Sequence, residues 1–312
     1  MNKWDGRFPP TERWRSSLAS AAKLVRVPNL FTAPPDVILG AAIVSSFGYA
    51  IRVETIIGLA VSSVLLYAAG TTLNDYFDAD EDALHRPERP IPSGDVSRSR
   101  ALAFGATLLV SGFGIAFLSG GSSAGVVAAV LALAIVSYDG LFKGSLLGFL
   151  VMGGSRGMNV LLGMAAAVAP TVLSPQALLI PAIIVLYIGC VTHMAESETG
   201  ATDRLAVSIG IAGTSVAAFG VVGVLVATPI SPLNTAIMVA LLVGFLIWTG
   251  LPLRTAYVSP SPEMIGPAVG ACVLGLTILT AAFAAIAGIK WSIAAFAFFL
   301  PAVGLSKVFD VS

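Results

Sequence analysis

The sequence predicts an all-α fold, a polytopic transmembrane helical bundle, and three observations carry that reading. Of 312 residues, 56% are hydrophobic and 11% charged, where an ordinary soluble domain carries about 25% charge. Mean hydropathy is +0.91, and apolar runs long enough to cross a bilayer recur along the whole chain. Basic residues fall in alternate loops, as the positive-inside rule requires of a chain that crosses repeatedly. A soluble globular protein is excluded. A β-barrel is also excluded, because its strands are about ten residues long and alternate in polarity, whereas these runs are continuously apolar. With 17 Lys+Arg against 17 Asp+Glu, the charge balance gives no argument for nucleic-acid binding.

Residues 1–30 hold Lys3, Arg7, Arg13, Arg15, Lys23 and Arg26 ahead of any long apolar run, with no convincing cleavage site. They read as a retained cytosolic arm, followed by one transmembrane domain over 31–312. Spans are expected at about 31–51, 55–73, 101–119, 122–139, 146–169, 176–195, 205–228, 233–252 and 264–288, which makes about nine. A tenth run, Trp291 to Leu305, contains Pro301 and reads as a short crossing, a re-entrant piece or an interfacial helix. With the N-terminus inside, Arg86, Arg89, Arg98, Arg100, Lys143, Arg204 and Arg254 are cytosolic, and only Arg52 and Lys290 fall on the other side. An inner (cell) membrane location is expected. Cys190 and Cys272 lie inside apolar runs and indicate neither a disulfide framework nor a thiolate metal site.

The polar residues are unevenly placed. Seven of the seventeen acidic residues lie between positions 75 and 95, mostly in Asn74-Asp75-Tyr76-Phe77-Asp78-Ala79-Asp80-Glu81-Asp82, directly after the second span. If the helix continues there, Asp75, Asp78 and Asp82 stand within about 60° of one another on one face, and Asp80 points the other way. Converging carboxylates repel unless a cation joins them, and an all-oxygen set favours Mg²⁺, which also takes substrate phosphate oxygens. The competing reading is a solvated acidic loop. The following Arg86-Pro87-Glu88-Arg89-Pro90-Ile91-Pro92-Ser93-Gly94 is basic and stiffened by its prolines. It suits capping an anion, or contact with anionic membrane lipids.

A second cluster, His193 to Arg204, ends the sixth span. On a helix His193, Glu196 and Asp203 share a face, and Glu196 to Asp203 repeats the interval from Asp75 to Asp82, with Thr at position 199. Two cations around a diphosphate between the clusters is one reading. The other has Gly200 break the helix and leaves ordinary loop charges. A third cluster is Tyr138-Asp139-Gly140-Leu141-Phe142-Lys143 with Arg156 and Asn159 beyond it. An arginine within a span is a functional candidate by default, and Arg156 and Asn159 share a face; Lys143 alternatively snorkels to the interface.

Carboxylates, metal and basic groups at the mouth of an apolar bundle suit a substrate with a diphosphate head and a hydrocarbon tail. The segment Asn74 to Asp82 fits N-D-x-x-D-x-x-x-D, and with Arg89 to Gly94 (R-P-I-P-S-G) it resembles the first signature of the UbiA superfamily of intramembrane prenyltransferases. The opening segment Arg26-Val27-Pro28-Asn29-Leu30-Phe31-Thr32 is similar too, and Tyr138 to Gly163 resembles the EboC-like branch. The resemblance implies Mg²⁺-dependent transfer of a prenyl group from a prenyl diphosphate to an aromatic or other lipophilic acceptor. It implies Asp75, Asp78 and Asp82 as catalytic metal ligands, with Glu196 and Asp203 as approximate substitutes for the family's second aspartate motif, which is absent as such. Asn29, Asn74, Arg89, Lys143, Arg156, Asn159 and Arg204 are the expected substrate-binding residues. The weakened second motif keeps an alternative in view, a non-catalytic membrane protein that binds or transports an isoprenoid or aromatic metabolite.

Overall fold

A computed structural model describes residues 20–196 and 204–307. Within them the elements are α1 (Val27–Leu30), α2 (Ala33–Ser46), α3 (Val53–Phe77), α4 (Ala79–His85), α5 (Arg98–Ser137), a π-turn over Tyr138–Phe142, α6 (Leu146–Met164), α7 (Leu179–Glu196), α8 (Arg204–Ala227), α9 (Pro232–Val258), α10 (Pro262–Ala284), α11 (Ile289–Phe296) and α12 (Phe299–Ser306). No strand occurs among the described residues. Eight stretches among them are long and apolar enough to cross a membrane. The protein is an integral membrane protein.

The difference from nine lies in α5, in α6 and in the tenth run, which is itself one of the eight. The stretch Arg98–Phe142 counts as one span by length, but the chain reverses inside it at Gly121, where φ is 67° and ψ −158°. Only glycine adopts such a backbone without strain. The first arm of α5 runs antiparallel to α3, with Gly105 against Leu73 and Gly112 against Leu66. The second arm returns alongside, with Ile135 against Gly70. The runs 101–119 and 122–139 are therefore separate crossings joined by a one-residue reversal. The run 146–169 forms α6, 19 residues with Arg156 inside them, and is not among those eight stretches. The tenth run becomes α11 and α12, an apolar stretch of crossing length over Ile289–Ser306. It breaks at Ala297 and Phe298 while Pro301 sits in the first turn of α12, where its missing N–H breaks no helical bond.

Residues 20–30, placed in the cytosolic arm by the sequence, are part of the bundle. Leu24, Pro28 and Asn29 are buried, so the first crossing stretch runs over Val27–Ser46. It and α10 are the inner helices, buried over most of their length, whereas α8 and α9 present mainly exposed apolar side chains such as Phe219, Val226 and Leu251. A helix apolar all round fits an interior position, and exposed Leu, Val and Phe side chains fit contact with lipid tails.

Small residues set how closely α2 and α6 approach. A Cβ added at Gly40 would lie 2.7 Å from the Met164 nitrogen and 2.9 Å from the Gly163 Cα, and one at Gly163 would lie 2.7 Å from the Val37 carbonyl carbon. These are backbone atoms that no side-chain rotation can move aside. Gly163→Ala is expected to part the two helices at a cost of about 1–3 kcal/mol, read as a lowered thermal midpoint in detergent. An unchanged midpoint would contradict this packing.

Candidate active site

The acidic segment keeps helical spacing because α3 runs to Phe77 and α4 resumes at Ala79, with Asp78 between them still near helical geometry at φ −81°, ψ −1°. Asp75 and Asp82 are buried, Asp78 is half-buried, and Asp80 is exposed on the far side, where it pairs with Arg98 at 3.0 Å. The expected shared face of Asp75, Asp78 and Asp82 is present.

Three basic side chains from three separate segments close on that face. Arg26, just before α1, places Nη2 3.4 Å from Asp75 Oδ1. Arg89, in the proline-stiffened loop, places Nη1 3.4 Å from the same oxygen and 2.9 Å from Asp82 Oδ2. Lys143, directly after the π-turn, pairs through Nζ with Asp78 Oδ2. Each carboxylate thus commits one oxygen. Asp75 Oδ2, Asp78 Oδ1 and Asp82 Oδ1 accept no hydrogen bond among the described residues. Among these residues no three acidic, His or Cys side chains stand ready around a metal position, because the basic groups lie between the carboxylates. The oxygen-only donor set with one free oxygen per carboxylate fits a hard cation that completes its shell with an anionic substrate's oxygens.

Two contacts tie the remaining segments to this face. Asn74 Nδ2 donates to Asp139 Oδ1 at 2.8 Å, fastening α3 to the π-turn, a backbone form that concentrates at functional positions. Glu196, the last residue of α7, accepts the Gly144 backbone N–H and lies within electrostatic range of Lys143 and His193. The His193 ring meets Phe149 edge-on, with centroids 4.5 Å apart. The first and second clusters therefore adjoin at Lys143–Gly144. Asp203 lies outside the described residues. Arg204 opens α8 as an exposed side chain without an ion pair among the described residues, and Asn29 is buried in α1, three residues from Arg26.

Arg156 and Asn159 share a face as expected, but their donors are directed to α2. Arg156 donates to the Thr32 carbonyl (3.1 Å), Thr32 Oγ1 (2.6 Å) and Asp36 Oδ2 (3.0 Å), and Asn159 Nδ2 donates to the Ala33 carbonyl (3.0 Å) and Asp36 Oδ2 (3.2 Å). The Arg156 guanidinium also covers the Tyr67 ring at 4.8 Å. Tyr67 precedes Asp75 by eight residues on α3, about 12 Å along the helix axis. This cluster is a strut between α2 and α6 below the carboxylates.

Sequence reasoning did not select Arg26, Asp139 or Asp36 as site residues. Asp36 had a usable signal, a carboxylate inside an apolar run. Arg26 had none beyond its place in the opening segment. Its backbone, at φ 48° and ψ 64°, is the single non-glycine case of positive φ among the described residues, a strain of about 1–3 kcal/mol that gathers at ligand sites.

An all-helical membrane bundle with a carboxylate and guanidinium face at one end defines a class of integral membrane protein built to hold a charged head group against an apolar interior. Residues 37–206 match the model of the UbiA prenyltransferase family. The chain belongs to that family. A relative named digeranylgeranylglyceryl phosphate synthase, from Haloquadratum walsbyi, is 34% identical over 134 residues, which is 42% of this chain and 44% of that protein. The matched stretch thus spans less than half of that relative's length. Among solved structures, a UbiA homologue from Aeropyrum pernix K1 superposes with a TM-score of 0.63 at 19% identity, covering 81% of this chain and 96% of that one. A UbiA homologue from Archaeoglobus fulgidus bound to GPP and Mg²⁺ superposes with a TM-score of 0.61 at 13% identity, covering 89% of this chain and 99% of that one. These likenesses establish the fold.

Proposed function

We propose that this protein is a Mg²⁺-dependent intramembrane prenyltransferase, moving a prenyl group from a prenyl diphosphate to a lipophilic acceptor. The observation that carries the proposal is the convergence of Arg26, Arg89 and Lys143 on Asp75, Asp82 and Asp78 at the mouth of an apolar bundle. Asp75, Asp78 and Asp82 would hold the cation, with Glu196 and Asp203 as further candidates, and the bound cation would neutralise charge building on the departing diphosphate. Arg26, Arg89 and Lys143 pair with carboxylate oxygens and would pair equally with diphosphate oxygens, turning from one to the other as substrate arrives. Held in place before the reaction, they stabilise the leaving group without further reorganisation. The tail would lie among the helices, away from water. Membership of the family and the placement of this chain's basic residues in alternate loops support a cell-membrane location with this face cytosolic.

The relatives' name makes glyceryl phosphate the first acceptor class to test. Purified full-length protein is to be incubated with Mg²⁺, prenyl diphosphates of several lengths and acceptor candidates, with products read by mass spectrometry. A prenylated acceptor whose formation stops with EDTA is the expected result; release of no diphosphate from any donor would overturn the proposal. Lys143→Ala is expected to weaken diphosphate binding by roughly tenfold or more, the worth of one hydrogen bond to a charged group, and an unchanged donor KM would remove Lys143 from the site.

A further inference from the structure

Asp139 is not among the residues that the family resemblance places in the site, yet it reaches the site from 65 residues away along the chain. An ionised carboxylate can only accept, so the Asn74 amide must turn its nitrogen to Asp139 and its oxygen away. That oxygen accepts no hydrogen bond among the described residues. Asn74 and Asp78 are four residues apart on α3 and so lie on one face, a turn apart, next to Asp75. The amide oxygen thus has the same chemistry as the uncommitted oxygens of the three carboxylates, a hard neutral donor beside hard anionic ones. Asp139 also lies within electrostatic range of Asp78, Lys143 and Arg26. It adds a fourth negative charge to a face where three carboxylates are met by three basic groups.

We propose that Asp139 is a positioning residue for the cation site, fixing the Asn74 amide so that Asn74 Oδ1 joins Asp75, Asp78 and Asp82 as a ligand of a divalent cation. This rests on the reading above that those carboxylates hold a metal.

The test is Mn²⁺ binding to the full-length protein in nanodiscs, titrated by electron paramagnetic resonance without substrate. Wild type, Asp139→Ala, Asp139→Asn, the exchanged pair Asn74→Asp/Asp139→Asn, and Asp75→Asn are compared. Removing a group that orients a metal ligand weakens metal binding by about 10–100-fold, so Asp139→Ala is expected at or above the lower figure. Asp139→Asn should also weaken binding, because two facing amides no longer dictate which way Asn74 turns. The exchanged pair should recover most of the loss, since residue 139 would then donate and residue 74 would present a carboxylate. A purely structural role would lower folded yield in Asp139→Ala but leave the affinity of the folded fraction unchanged, and that result overturns the inference. If Asp75→Asn loses Mn²⁺ while every Asp139 variant binds like wild type, the positioning role fails and the metal site stands. If wild type binds no Mn²⁺, the metal reading itself fails, and this inference with it.

Discussion

Asp75→Asn is expected to lower Mg²⁺-dependent product formation by at least about a hundredfold, the range seen when one preorganised electrostatic group is removed from an active site. The effect should be large because Asp75 is the carboxylate on which two basic residues meet, Arg26 from before α1 and Arg89 from the proline loop. Asparagine keeps the shape but removes the charge, so Arg26 loses its carboxylate while Arg89 retains Asp82. The protein should still fold and insert, since its apolar core does not depend on this end of the bundle. Asp80→Asn is the matching control: Asp80 belongs to the same acidic run, but it is exposed and pairs outward with Arg98, and its loss should change turnover by less than about twofold, as for an ordinary surface site. Full turnover in a folded Asp75→Asn protein, or equal losses in the two variants, would show that the acidic run acts by bulk charge and not through the buried face.

Arg156→Met is expected to have the largest effect on stability, about 3–5 kcal/mol, because it leaves a buried carboxylate without its counter-ion. Asp36 is fully buried, and Arg156 is its only cationic partner among the described residues. The same change removes both bonds to Thr32, where the chain enters α2, and the guanidinium over Tyr67. Folded, monodisperse yield and thermal midpoint in detergent should both fall. The double variant Asp36→Leu/Arg156→Met should recover most of the loss, since an apolar pair in place of a buried ion pair is often neutral or stabilising. If Arg156→Met melts like wild type, the glycine contacts and the Asn159 hydrogen bonds suffice to hold α2 to α6.

The parts of the site that could be read from sequence were those encoded locally. Asp75, Asp78 and Asp82 belong to one helical repeat, so spacing alone placed them on a face and turned Asp80 away. The two runs around Gly120-Gly121 were legible as separate spans because each is long enough by itself. What required the structure was long-range pairing. Arg26 is 49 residues from Asp75 and Asp139 is 65 from Asn74, and no periodicity links such positions. Arg156 and Asn159 were recognised as neighbours for the same local reason that hid their purpose, since their common partner Asp36 lies 120 residues earlier than Arg156. The arm boundary was misplaced because Val27-Pro28-Asn29-Leu30 is too short an apolar stretch to stand out from the basic residues before it.

The reversal at Gly121 bears on how the protein is made. With a single residue joining the arms of α5, no hydrophilic segment separates them, so nothing between them can serve as a stop or an anchor while the chain leaves the ribosome. The two arms must enter the bilayer as one hairpin, and the charges available to orient it are those at its open ends, Arg98 and Arg100 on one limb and Lys143 beyond the other. The lysine that pairs with Asp78 in the finished site is therefore also one of the charges that decides, during biogenesis, on which side of the membrane that site is assembled.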